Sequence, residues 1–347
     1  MSIWPKFSIR RILNSNSRSY NGTVIALLLI LLLIAVMISI SVGSSTIPLQ
    51  QIISAMGKKD LTSKTYQIIR FVRIPRTLAA ILAGSSLSVS GAILQSVLNN
   101  SLASPNIIGV NSGAGFLTVL IGAFFPASLF LTPLAAFIGG LLAVFLVFFI
   151  AQKSGASRMS IVLSGVAVSS FIGAMTDTVL TLKPETAIDR SIFLIGGFSG
   201  VTMDRLALPA AFIIISLIVV IGLSYDMNIL TLGDETAKSL GLGVARLRYL
   251  FLGLGALLSG SAISFAGLLG FVGLIVPHAS RFLVGYDNSL LIPVCALLGS
   301  VFTLGCDILA RILFAPFEIP VGIIMSFLGG PFFIHLLLKG KKGKLYD

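Results

Sequence analysis

Long apolar runs separated by short polar breaks set the rhythm of this chain. Ten runs of membrane-crossing character follow one another: Thr23–Val42, Arg76–Leu98, Ile107–Phe124, Leu131–Ile150, Met159–Leu182, Arg205–Leu223, Tyr249–Ala266, Leu268–Leu283, Leu290–Ile312 and Pro320–Leu338. A helix needs about 20 apolar residues to cross the hydrocarbon core. The runs are continuous rather than alternating, which argues against a β-barrel. Ten helical spans are therefore expected. Within Leu78–Val97 the breaks in the apolar pattern are small residues: Gly84, Ser85, Ser86, Ser88, Ser90 and Gly91. A small-residue face of this kind suits close helix–helix approach in lipid. The pattern predicts an all-α polytopic membrane protein, with a permease-like domain over 23–338 and basic tails at 1–22 and 339–347. The first run is long for a signal h-region and reads as a retained span.

The polar intervals add orientation. Gly43 to Ile74 is mixed in character and reads as an amphipathic interfacial piece before Pro75. Residues 151–158 form a short basic loop, and Ser224 to Arg248 is the longest hydrophilic stretch of the second half. Inside its 228–243 region, Asp234 and Glu235 precede Lys238, the charge order that suits a short helix dipole. Gly241 is a plausible helix stop. A short helix outside the membrane between two spans is a natural docking surface for a peripheral protein. An even number of spans puts both basic termini on one side, which the positive-inside rule makes cytoplasmic. The loops at 151–158 and 224–248 then share that side. Lys58 to Arg76 and Arg311 fall outside, against the rule. Outward-facing cations at Arg73, Arg76 and Arg311 would suit an acidic protein surface. Ala83–Gly91 also echoes Ser259–Gly267 in spans of opposite direction, as inverted repeats do.

Composition sharpens the class. The chain has 347 residues, 56% of them hydrophobic and only 10% charged, with mean hydropathy +1.04. That leaves too little polar surface to cover a water-soluble particle of this size. A net charge of +12 would suggest nucleic acid in a soluble protein. Here the basic residues sit mostly at span ends and in the tails, so no nucleic-acid partner is expected. Cys295 and Cys306 share one apolar run and read as packing residues. There is no GxxxxGK[ST] pattern, no HExxH and no spaced Ser–His–Asp cluster. No catalytic residue, cofactor or metal site is expected, and His278 and His335 read as structural or interfacial groups. Asp177 and Asp307 are the only carboxylates within runs. An ion-coupled secondary transporter usually shows more. Asp177 lies near the end of its run, where it reads either as a functional charge or as a group reaching the interface. Asp307 and Arg311, four apart, share a helix face and are expected to pair.

An ordered set of motifs then becomes recognisable. RIPRTLAAILAGSSLSVSGAILQ from Arg73, NNSLASPNIIGVNSGA from Asn99 and LTLGDETAKSLGL from Leu230 lie in sequence with GLLGFVGLIVPHASRFLVGYD from Gly267, CDILAR from Cys306 and PVGIIMSFLGGPFFIHLL from Pro320. The set resembles the FecCD-type permease subunits of iron-siderophore, haem and cobalamin ABC importers. The resemblance implies a type II importer permease fold of ten transmembrane helices in a bacterial cytoplasmic membrane, surrounded by lipid. It implies a second permease subunit, identical or related, two ATPase subunits that bind ATP-Mg, and an extracytoplasmic substrate-binding protein. It implies transport by alternating access, with a ferric siderophore as the first expected cargo and haem or cobalamin as the alternative. Carried over by position, Arg73, Arg76 and Arg311 would dock the binding protein. Gly233, Asp234, Glu235, Lys238 and Gly241 would form the ATPase coupling helix. Gly155, Ala156 and Ser157 fall in the cytoplasmic gate region, and Ser88 and Asn111 fall along the expected pathway.

Overall fold

A computed structural model describes residues 15–43, 47–48, 63–125, 131–155, 158–184, 191 and 193–342. The first helices are α1 (Ser15–Ser41) and α2 (Lys64–Val97). After a 3₁₀ turn (Pro105–Ile108) come α3 (Val110–Phe124), α4 (Leu131–Lys153), α5 (Arg158–Leu182) and α6 (Met203–Gly222). Two short helices follow, α7 (Ser224–Thr231) and α8 (Asp234–Ser239). The chain closes with α9 (Val244–Ala266), α10 (Val272–Val284), α11 (Asn288–Ile312) and α12 (Val321–Lys342).

Helix α2 is the axis of the bundle. From Ala83 to Val97 every residue is buried. Its small-residue face is what allows this. A Cβ added at Gly84 would run into the backbone of Gly299 on α11, and one at Gly91 into the backbone of Gly273 on α10. The Ser90 hydroxyl donates to the Gly255 carbonyl of α9 at 2.6 Å, so a third helix closes on the same rod. A second glycine crossing, Gly113 against Gly139, seats α3 on α4. In lipid such crossings supply the van der Waals contact and hydrogen bonding that drive helix association. By contrast α1 packs against α11 with one face and leaves Ile30, Leu33 and Met37 exposed, as a lipid-facing helix should.

Two sequence expectations change. Ten spans were expected, the eighth of them, Leu268–Leu283, short. Among the described residues, seven helices are long and apolar enough to cross a membrane, while Val110–Phe124, Val272–Val284 and the Val321–Phe332 part of α12 are shorter. Two of the shortfalls have a local cause. Gly109, at φ +79°, separates α3 from the 3₁₀ turn that takes its first residues. Gly267 and Phe271, both at positive φ, bound a loop that replaces the first turn expected of α10. The second change is at α2, which begins at Lys64 rather than Arg76, so residues 64–74 continue the same helix as the span that follows them. Pro75 does not break it. A π turn at Ile69–Arg73 lies immediately before the proline, and the wider turn accommodates a residue that lacks an N–H.

Candidate functional site

At one end of the bundle α1, α2 and α11 converge on a charge cluster. Asp307 is fully buried between two guanidiniums. Arg76 Nε donates to its two oxygens at 3.0 and 3.2 Å, and Arg311 Nη2 meets Oδ2 at 3.0 Å. Arg76 Nη1 reaches Glu318 Oε2 at 2.5 Å. The last turn of α1 presents its carbonyls to the same cations. Arg73 Nη1 donates to the carbonyls of Ile40 (2.6 Å) and Ser41 (2.8 Å), and Arg311 Nη1 to those of Ser39 (3.0 Å) and Val42 (2.8 Å). These are the groups a helix C-terminus leaves without intrahelical partners, and cations are favoured there by the helix dipole. Arg311 Nη2 also donates to the Ser39 hydroxyl, which is bonded to Thr77.

The expected docking residues Arg73, Arg76 and Arg311 are therefore brought together, but not as outward-facing cations. They are 5%, 8% and 2% exposed, with their charges spent on carboxylates and carbonyls of this chain. Desolvated guanidiniums need such partners, because an unpaired buried charge is very costly. The Asp307–Arg311 pair was expected from its spacing. The second cation on Asp307 and the contribution of Glu318 were not, since both come from distant stretches. Arg70 remains exposed beside the cluster.

The opposite end of α2 and α11 holds the hydrophilic segment. Asn228 on α7 donates to Asp287, the N-cap of α11, at 2.7 Å, and accepts from the Asn288 amide at 2.8 Å. Ser96, near the end of α2, donates to Asn288 at 3.1 Å. Gln95 accepts from Arg281 and donates to the Gly273 carbonyl, tying α10 to the same place. Sequence reading missed this network. Its one visible signal is the polar cluster Asp287–Asn288 at the start of an apolar run.

Next to it, α8 takes the expected place. Gly233 (φ +111°) and Gly241 (φ +84°) bracket it. Ala237 is its buried contact, while Glu235 and Lys238 are exposed, as are Leu232 and Leu240 at its flanks. Asp234 has a partner that the sequence did not show. It is not a bare surface acid, because Arg248 of α9 donates to both its oxygens at 2.6 and 2.8 Å.

A cavity of about 450 Å³ opens among α3, α12 and the loops beside α9, lined by Asn111, Leu194, Ile195, Leu268, Gly270, Gly322, Ile323, Ser326 and Phe327. Asn111 thus faces open volume. Ser88 does not: it is fully buried and donates to the Cys295 carbonyl at 2.7 Å, within the α2–α11 seam. Gly155 is exposed at φ +94° with open space about it, and Ala156 and Ser157 lie outside the described residues. Asp177 is exposed on α5. His278 packs its ring edgewise against Phe282 and Phe332, and the side chain of His335 lies outside the described set. Among the described residues no group of three or more His, Cys, Asp or Glu could hold a metal ion.

The permease protein YfmD of the Fe(3+)-citrate import system of Bacillus subtilis (strain 168) is 36% identical over 304 residues, 88% of this chain and 91% of that protein. The iron(3+)-hydroxamate import system permease protein FhuB of the same organism is 37% identical over 332 residues, 94% of this chain and 86% of that one. A solved structure of a metal-chelate type ABC transporter in an inward-facing conformation superposes with TM-score 0.82 at 31% identity, covering 92% of this chain and 99% of the other. The fold is that of an ABC-importer permease, an all-α multi-pass membrane protein. With the FecCD transport family matching residues 31–339, the chain belongs to that family.

Proposed function

We propose that this chain is the permease subunit of an ATP-driven importer carrying an iron–siderophore complex or a related metal chelate across the cytoplasmic membrane. The observation that carries the reading is the placement of two polar ends on opposite termini of the same helices. The arginine cluster sits at one end of α2 and α11, and the α7–α8 segment sits at the other. The cargo class follows the relatives, whose names specify ferric citrate and ferric hydroxamate import. Among the described residues, seven long and three short apolar helices support ten crossings. Helices α2 and α9, which carry the echoing motifs, pack side by side; the end of α2 and the start of α9 both lie at the α7–α8 end, so the two run in opposite directions, which supports an inverted repeat.

In this reading the chain performs no chemistry on its cargo. Hydrolysis of ATP-Mg belongs to two separate ATPase subunits, and the exposed face of α8, with Glu235 and Lys238 between Leu232 and Leu240, meets them. A second permease subunit completes the pathway, and the cavity at Asn111 is part of its wall. Its lining is mostly apolar or glycine, so a bulky chelate passes without a tight site to retain it. The basic termini and α8 lie on the cytoplasmic side.

The extracytoplasmic binding protein docks at the arginine end, through Arg73, Arg76 and Arg311. Their burial shapes how this works. An incoming carboxylate reaches Arg76 by displacing Glu318, whose side chain is 32% exposed. Charge reversal at Arg73 or Arg311 would break the α1 cap whatever their role. Arg70→Glu and Glu318→Gln read docking with that cap kept: the first should weaken binding-protein association and the second strengthen it. The whole reading is tested in proteoliposomes holding the permease, its ATPase and its binding protein. Radiolabelled ferric citrate and a ferric trihydroxamate should enter only with ATP. Entry at the same rate with ATP omitted would sink it.

A further inference from the structure

We infer that Arg248 is the positioning residue that makes α8 and α9 move as one body, so that a push on α8 reaches the wall of the cavity. The inference rests on the reading that α8 meets the ATPase. The covalent connection between the two helices is Leu240 to Gly243, and it contains Gly241 at φ +84° and a second glycine. The Gly241 and Leu242 amides are bonded back to the Lys238 and Ala237 carbonyls of α8, which leaves the step through Gly243 into α9 as the joint that can flex. Without a further tie, a force on α8 would bend the connection instead of moving α9.

The Arg248–Asp234 pair is that tie. Asp234 is the first residue of α8, and Arg248, 6% exposed, stands near the start of α9. One guanidinium nitrogen reaches both carboxylate oxygens at 2.6 and 2.8 Å. Ala237, fully buried, braces the same face of α8.

From there α9 runs as an unbroken 23-residue helix, about 35 Å at 1.5 Å per residue. Its far end is hydrogen-bonded to the segment that lines the cavity. The Gly197 amide donates to the Ala266 carbonyl at 2.8 Å, and the Leu268 amide donates to the Phe193 carbonyl at 2.9 Å. Leu194, Ile195 and Leu268 are all cavity residues. Chain neighbours on both sides of these bonds therefore line the cavity, and α9 joins them to α8.

The test uses the complete transporter with its ATPase in proteoliposomes and Ser326→Cys as a reporter, since Ser326 is exposed on the cavity wall. The native Cys295 and Cys306 are buried and should remain unlabelled. The rate of maleimide labelling is compared with and without ATP-Mg plus vanadate. The reporter protein should show a several-fold change. Arg248→Ala should abolish that change while the ATPase still copurifies, because the exposed face of α8 is intact. The exchanged pair, Arg248→Asp with Asp234→Arg, should restore much of it, which a general loss of folding could not do. Asp234→Asn, at the more exposed partner, gives the same readout should Arg248→Ala fail to accumulate. A several-fold response surviving in both Arg248→Ala and Asp234→Asn overturns the inference alone. ATPase copurification that survives Leu240→Asp with Glu235→Arg overturns the functional reading of α8, and the inference with it.

Discussion

Asp307 lies between Arg76 and Arg311 with no exposed surface, and its charge is what permits two guanidiniums to be buried side by side. Asp307→Asn keeps the shape and removes the charge. Breaking a buried pair by removing one partner costs about 3–5 kcal/mol, so thermal unfolding in detergent should show a large drop in midpoint. Glu318→Gln touches the same Arg76 from a side chain 32% exposed. Water screens that pair, so the loss should stay under about 1 kcal/mol. Equal losses in the two variants would mean that Asp307 is not the centre of the cluster. The sequence made this site half legible. Arg73, Arg76 and Arg311 stood out as cations on the disfavoured side, and Asp307 as a carboxylate inside a run. Hydropathy places a residue along the membrane normal but says nothing of its neighbours around the bundle. The carbonyls of α1 and the carboxylate of Glu318, which turn exposed cations into buried ones, come from other parts of the chain.

At the scale of elements, α2 was readable in kind and misread in length. Its glycines and serines announced a packing helix, and the structure puts α9, α10 and α11 against them. Its extra turns before Pro75 were hidden, because a proline in a sequence suggests a boundary and a π turn leaves no compositional mark. The seams give a graded prediction. Gly84, Gly91 and Gly299 each face a neighbour's backbone, which cannot swing aside as a side chain could. Alanine at any of the three forces the helices apart, and overpacking of this kind costs about 1–3 kcal/mol. Gly253 on α9 has open space where its Cβ would go, so Gly253→Ala should be neutral or mildly stabilising. The four variants, compared by thermal unfolding of purified protein, should separate into three destabilised and one not. A Gly253 variant as unstable as the rest would mean that helix propensity, not close approach, sets the glycine positions. Helix α8 was legible in type and place, since its acidic start, basic end and flanking glycines are all local. Its link to Arg248 spans 14 positions and crosses a helix boundary, beyond the reach of local pattern.

Across the whole molecule, α11 joins the two polar ends: Asn288 at its start meets Asn228, and Arg311 near its end caps α1. Its 25 residues make a rod of about 37 Å, slightly longer than a hydrocarbon core of about 30 Å. Both ends therefore reach the headgroup region, where ion pairs and amide networks are tolerable, and the two ends must face opposite compartments. This yields a prediction that needs neither cargo nor partner. Cysteine placed at exposed Arg70 and, separately, at exposed Lys238 reports the side of each end, with Cys295 and Cys306 silent through burial. In intact cells stripped of their outer barriers, a membrane-impermeant maleimide should label Arg70→Cys at once. Lys238→Cys should stay unlabelled until the membrane is permeabilised. Labelling of both from the outside would remove the opposed ends on which the transport mechanism depends. The reverse pattern would invert the topology and put α8 out of reach of a cytoplasmic ATPase. The positive-inside count and the rod geometry of α11 are independent, one resting on basic residues in loops and the other on hydrogen bonds at helix ends. Agreement of the labelling with both would place the α8 end on the side where ATP is available and the arginine end on the side from which a binding protein approaches.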